Sequence, residues 1–356
     1  MKGARILLSI LLLCLGLSPL AAQESEESMV VTLVKRISGG PVSVVLPFEK
    51  DVFEESFVTV SVKLYDSQID KLVFYTSEGE KVEIKTDPKK DTYCKSFRFF
   101  FGENHIRVVA YKNGKKVDKK RVDFYVKSFL SKYYKIVPAG YKKEFFHNGK
   151  NEEACKKCHD MSVNETPGVA FEEISESNCF ACHNVLLDRK FAHAPTVNFL
   201  CLPCHDGSVG EKNQADAHKS RFTYPDPIAP KCLKCHKKKR KLWYTKTYKH
   251  DPVGAGKCNK CHNPHSSDVN KNFLRKNAWG LCTSCHADKY DKRAYKALFV
   301  SRAKNGEELF KNLLKEGFSC VTCHDPHASD EKFLMKTEYK DLEGVCLDIT
   351  KTGGRW

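Results

Sequence analysis

A chain of 356 residues with a formal charge of +16 is long enough for about two domains. Past residue 22 no run is long and apolar enough to span a bilayer, which excludes a helical membrane protein. Seventeen cysteines would ordinarily signal disulfides, and their spacing excludes that reading.

The chain opens MKGARILLSILLLCLGLSPLAA: two basic residues, an apolar run from Ile6 to Leu17, then small residues. This is the pattern of a secretory signal peptide over 1–22, with cleavage expected after Ala22. The run is short for an anchor, and Cys14 sits inside it, which argues against a lipid-bearing cysteine. The mature chain is expected to be soluble and exported, in the periplasm or at the surface of a prokaryote, with no transmembrane segment.

Residues 28–128 hold short alternating runs: FVTVSVKLY (57–65), KLVFYTS (71–77), EKVEIKT (80–86), CKSFRFFF (94–101), HIRVVAY (105–111) and KRVDFYV (120–126). Their regular spacing predicts an all-β sandwich of about 100 residues. Asn113-Gly114 predicts a tight hairpin between the last two runs. Ile106, Val108 and Ala110 alternate inward, so His105 falls on the polar face as an ordinary exposed residue. Cys94 is expected to be a small buried residue, and nothing in this stretch looks catalytic. Residues 129–145 read as a linker.

From 146 to 356 the composition changes. Seven CxxC pairs follow one another: CKKCH (Cys155, Cys158), CFACH (Cys179, Cys182), CLPCH (Cys201, Cys204), CLKCH (Cys232, Cys235), CNKCH (Cys258, Cys261), CTSCH (Cys282, Cys285) and CVTCH (Cys320, Cys323). A histidine follows every pair: His159, His183, His205, His236, His262, His286 and His324. Histidine is only 14 of 356 residues, so this recurrence is not accidental, and redox dithiols and zinc ribbons do not require it. CxxCH is the attachment signature of c-type haem. Two cysteines three apart on a helical turn each form a thioether to one porphyrin, and the next residue lies beneath the iron as proximal ligand. The expected cofactor is seven haem c groups. His147 to His327 is about 26 residues per haem, too little chain for a conventional core. The porphyrins are therefore expected to stack as the interior, within short helices and loops.

Six further histidines are candidate distal ligands: His147, His193, His218, His250, His265 and His327. His147, His193 and His250 each stand eight residues before a motif; His265 and His327 each stand three residues after a proximal histidine. His218 is the irregular member. A histidine three residues past the proximal one starts on the same side of the ring, so His265 and His327 are expected to reach neighbouring haems, His265 with the haem of Cys282 and Cys285 as its candidate. Six ligands for seven irons leave one in doubt, with 179–183 and 320–324 as the candidates for a five-coordinate haem.

The unit CNKCHNPHSSDVNKNFLRKNAWGLCTSCH aligns with CVTCHDPHASDEKFLMKTEYKDLEGVCLDIT through CxxCHxPHxSD and a phenylalanine–leucine pair. The second copy ends CLDIT, a degenerate eighth motif at 346–350 that retains Cys346 but lacks the second cysteine and the histidine. With paired CxxCH, upstream HxP and CHxPH strings, the chain from about Pro138 to Asp348 resembles multihaem c-type cytochromes with doubled CxxCH motifs, the cytochrome c3/c7-like group. The resemblance implies bis-histidine, low-potential haems and electron carriage in the periplasm or at the cell surface. Two departures stand out: Ser162 where a CHxPH histidine would sit, and Asn312 eight residues before Cys320. The string GENHIRVVAYKNGKKV resembles bacterial immunoglobulin-like domains, which implies a docking or spacing role for the first domain.

Leader removal takes away Lys2 and Arg5, and seven ferric haems with ionised propionates lower the net charge to about +7. Many lysines are therefore expected beside propionates. The run KKKRK at 237–241 would suggest nucleic acid in a cytosolic protein; in an exported cytochrome it reads as a solvated face or a docking patch for an acidic redox partner, with no nucleic acid. The expected partners are redox proteins or extracellular acceptors, with self-association open. The leading expectation is an electron carrier, not an enzyme. The alternatives are a subunit of a polymeric extracellular cytochrome, or an oxyanion reductase using an under-ligated haem.

Overall fold

The computed structural model describes residues 39–128, 130, 136–153, 155–167, 169–206, 222–289, 308 and 319–342. The leader, His218, Asn312 and the degenerate motif at 346–350 lie outside these residues. The chain divides into two compact units with the boundary after Val126, and Gly140–Lys142 returns to the first.

The first unit is built from two sheets. One has the order β1 (Val42–Leu46), β3 (Phe57–Leu64), β6 (Thr92–Arg98); the other runs β2 (Asp51–Phe53), β8 (Lys115–Val126), β7 (Gly102–Lys112), β4 (Lys71–Thr76), β5 (Lys81–Lys85). Alternation decides what each strand buries. Val58, Val60, Val62 and Leu64 of β3 meet Leu72 and Phe74 of β4 and Ile106, Val108 and Ala110 of β7 in a single apolar cluster. Each such side chain contributes about 1.5–3 kcal/mol when fully buried. Phe99 and Phe124 pack edge to face at 4.8 Å, and Phe53 meets Phe124 in the same way at 5.6 Å. At the edge, β5 alternates exposed Lys81, Glu83 and Lys85 with half-buried Val82 and Ile84, and edge charges of this kind discourage further strand pairing.

The hairpin closes on Asn113 and Gly114, both at positive φ (50° and 71°), which is the backbone a two-residue turn of this twist requires. The sequence did not signal β1 and β2. They are short, β2 pairs in parallel with β8, and Pro47 lies between them. Cys94 departs from expectation: it is exposed, because β6 turns Tyr93 and Phe97 to the core, and its thiol rests 3.5 Å from the Ser61 hydroxyl. His105 is only partly exposed, and burial lowers its pKa.

The described residues of the second unit form no comparable protein core. Among its described residues from Lys143 onward the buried apolar side chains are Phe199, Ile228, Ala229, Cys323, Ala328 and Met335. Among its described residues the α-helices run from four to eight residues, the longest being Lys237–Tyr244. Four two-residue strands pair across it: β9 (Phe191–Ala192) with β11 (Ser266–Ser267), and β10 (Tyr248–Lys249) with β12 (Ala328–Ser329). Among the described residues no helix is long and apolar enough to cross a membrane.

Candidate metal centre

Every motif folds the same way. In all seven, the histidine N–H donates to the carbonyl of the first cysteine at 2.9–3.1 Å, from His159 to Cys155 through to His324 to Cys320. One helical turn therefore sets both thiols and the imidazole of each motif at fixed offsets.

Histidines then meet in pairs with roughly parallel ring planes, across long sequence distances. The ring centroids lie 6.0 Å apart for His147 and His183, 6.2 Å for His193 and His236, and 6.1 Å for His205 and His265. They lie 6.1 Å apart for His250 and His286 and for His262 and His327. The ring planes are within 24° of parallel in four pairs and at 35° in the first. Direct ring stacking is closer: Trp243 lies 4.2 Å from His327. Two imidazoles on one metal, each with a bond of about 2 Å and roughly 1 Å more to the ring centre, stand about 6 Å apart. The pairs fit a shared iron.

The pairing corrects two expectations. His265 faces His205, not the histidine of the motif at Cys282 and Cys285, whose His286 faces His250. The motif at 179–183 is not short of a partner, since His183 faces His147. His159 and His324 are outside these five pairs. The upstream histidines skip the motif they precede: His147, His193 and His250 pair with His183, His236 and His286, each one motif further on. The downstream ones, His265 and His327, reach back two motifs.

Short strands make these connections. The β9–β11 bridge carries His193 beside His265, with His193 N–H donating to the His265 carbonyl at 2.8 Å. The β10–β12 bridge does the same for His250 and His327 at 3.0 Å. The letters shared by the two CHxPHxSD strings have local causes. Asn263 and Asp325 side chains accept from the backbone of His265 and His327 at 3.0 and 2.9 Å. Pro264 and Pro326 carbonyls accept from Nδ1 of His193 and His250 at 2.9 and 3.1 Å. Asp268 and Asp330 accept from the backbone N–H of Lys190 and Thr247, both at 3.1 Å, closing each bridge.

The same donor logic orients the proximal rings. Nδ1 of His205, His262 and His324 donates to the carbonyls of Phe222, Asn272 and Phe333 at 2.7, 2.7 and 2.8 Å. Nδ1 of His147 lies 3.1 Å from the carboxylate of buried Glu152. With the proton on Nδ1, the ring's lone pair is on Nε2. Burial and the neighbouring His147 hold His183 down at about 4, and burial also lowers His193, His205, His262 and His327, which favours the neutral imidazole. Residues 272–275 and 333–336 make equivalent bonds, from Asn263 N–H to Phe273 and from Asp325 N–H to Leu334. The phenylalanine–leucine pairs are thus offset by one position, with Phe273 and Leu334 both at positive φ.

Electrostatic coupling between thiols links successive motifs: Cys179 with Cys201, Cys204 with Cys235, Cys232 with Cys258, Cys261 with Cys285 and Cys282 with Cys320. Among the described residues no group of three or more His, Cys, Asp or Glu converges as a small-metal site requires.

Comparison with known proteins adds the following. The doubled CXXCH motif family matches residues 250–291 and 312–347, under a quarter of the chain. Curated proteins give no match. Among solved structures, fibronectin(III)-like modules of Clostridium thermocellum CbhA are similar at 22% identity, covering 24% of this chain and 97% of the module, with a TM-score of 0.21. The sulfur carrier protein SoxY from Chlorobium limicola f thiosulfatophilum is similar at 14% identity, covering 30% of this chain and 97% of its own, with a TM-score of 0.21. The matched motifs, with covalent c-type haem as their cofactor, indicate a multihaem c-type cytochrome and imply electron transfer.

Proposed function

We propose that this chain is an exported electron carrier holding seven haem c groups, most of them between two histidines, in a row that follows the sequence. The observation that carries this reading is the set of five histidine pairs with ring centroids 6.0–6.2 Å apart, each joining the histidine of a CxxCH motif to one outside the motifs. Bound haem supplies a ferric/ferrous couple at each motif. The protein's part is to fix that couple. His183, His205, His236, His262 and His286 are the proximal ligands to which His147, His265, His193, His327 and His250 are opposed, and His159 and His324 serve the outer motifs. Carbonyl-anchored Nδ1 atoms keep several of these rings from turning, so a change of iron charge meets little rearrangement. Two imidazoles per iron favour low potentials, since methionine ligation would raise them. The sparse protein core of the second unit is consistent with porphyrins as its interior. The β-sandwich serves as an immunoglobulin-like spacer or docking element.

The test is spectroscopy of the loaded protein. A low-spin spectrum dominated by bis-histidine iron, unaltered by cyanide or nitrite and titrating at low potential, is expected. A large high-spin fraction that binds nitrite and turns it over would replace this reading with a reductase. Sedimentation of a monomer only would exclude the polymeric alternative.

A further inference from the structure

The helix Lys237–Tyr244 begins directly after the proximal histidine of the fourth motif, with the Arg240 N–H donating to the His236 carbonyl at 3.1 Å. Its far end reaches another motif. The Trp243 indole lies 4.2 Å from His327 at an interplanar angle of 16°, and His327 faces His262. Between those ends stand Lys237, Lys238, Lys239, Arg240 and Lys241, all exposed. Five consecutive helical positions go all the way round the axis, so they cannot all turn toward haem carboxylates on one side. Among the described residues none of the five has an ion-pair partner, whereas nearby Lys246 pairs with Asp330 at 2.7 Å. Leu242, Tyr244 and Tyr248 add exposed apolar surface at 48%, 44% and 38% exposure beside the half-buried indole. An apolar centre next to unpaired positive charge is the composition of a steered, short-lived protein interface.

We propose that this helix is the docking surface for an acidic redox protein, and that Trp243 is the contact through which electrons reach the iron held by His262 and His327. The proposal rests on the electron-carrier reading above. With haem bound, one electron from the partner's reduced cofactor would take a ferric iron held by His262 and His327 to ferrous, with no bond formed or broken. Electrons then enter near the middle of the row and can pass to either side.

The test uses the fully loaded protein and two reductants of opposite charge: flavodoxin in its hydroquinone form, which is acidic, and the methyl viologen radical cation. For the native protein, the bimolecular rate with flavodoxin should fall steeply as salt is raised. Lys237→Gln, Lys239→Gln and Lys241→Gln together should slow that reaction about tenfold at low ionic strength, flatten its salt dependence and leave viologen equal or faster. Trp243→Leu should keep the salt dependence but lower the limiting first-order rate by at least about threefold. Haem content and the low-spin spectrum serve as the folding control for each variant. If the lysine variant keeps the native rate and salt slope with flavodoxin, the docking proposal is overturned, and the lysines belong to haem carboxylates instead. A separate variant, His327→Ala, checks the underlying reading. Conversion of one iron to high spin supports it, and no conversion removes the ligand assignment independently of the docking result.

Discussion

His265 stands three residues after His262, yet its ring faces His205, sixty residues earlier, at 6.1 Å and 11° from parallel. The backbone explains the choice. The His193 N–H and the β9–β11 bridge hold His265 on the side of the third motif, while His262 receives His327 through the β10–β12 bridge. Removing His265 should therefore injure a haem other than the one beside it. His265→Ala is expected to convert one low-spin iron to a high-spin, carbon monoxide-binding one, by electron paramagnetic resonance and difference absorption. In a Cys201→Ala, Cys204→Ala background that lacks the third haem, His265→Ala should add no further high-spin signal. Silencing by Cys258→Ala, Cys261→Ala instead would mean that His265 serves its own motif.

Glu152 is 2% exposed and lies 3.1 Å from Nδ1 of His147. The other anchored distal rings, His193 and His250, rest on neutral carbonyls. A carboxylate behind an imidazole raises its basicity and favours the ferric state of the iron it ligates. Glu152→Gln keeps the shape and the hydrogen bond and removes the charge. One haem should rise in potential by some tens of millivolts, with the low-spin spectrum intact, in a spectroelectrochemical titration. An unchanged set of potentials would show that His147 does not ligate through this anchor.

How much of the site was legible follows from the range of each interaction. The two thiols and the imidazole of each motif are fixed within one helical turn, so CxxCH alone reveals their placement. The histidines that pair with the motifs were legible as a class, because they recur at set offsets from them. Their partners were not. A two-residue strand such as β9 has no periodicity to read, and its pairing with β11 spans seventy-odd residues. In the sandwich, the longer alternating strands β3, β4 and β7 were visible, while β1 and β2 depend on neighbours supplied elsewhere in the chain. Cys94 was misplaced because its face of β6 is decided by Tyr93 and Phe97, which claim the core.

The pairing rule explains the degenerate motif. Each upstream histidine pairs with the histidine of the motif one further on, so a histidine at position 312, eight residues before Cys320, would pair with the motif ending at 350. Asn312 and Thr350 stand at those two positions, so the distal and the proximal histidine are missing together. The protein should carry seven haems by pyridine haemochrome assay against protein mass. Ile349→Cys with Thr350→His rebuilds CxxCH and should raise the count to eight, with the new iron high-spin. Adding Asn312→His should make it low-spin. A new haem that is low-spin without the third substitution would break the rule.

The sandwich offers the converse test, because it has a protein core of its own and none of the paired histidines. Phe124 is fully buried and contacts both Phe53 and Phe99. Truncating it leaves a cavity that β2, β7 and β8 cannot close without breaking their ladder, so Phe124→Ala should cost about 3–5 kcal/mol. At a urea dependence of about 1–3 kcal/mol per molar, the β signal in circular dichroism should unfold at least about 1 M earlier. The haem absorbance should keep its native midpoint, because the second unit is held by its own bridges, β9–β11 and β10–β12. His105→Ala, on the outer part of β7, should leave haem content and spin state unchanged. A haem transition that moves with Phe124→Ala would show that the two units unfold as one.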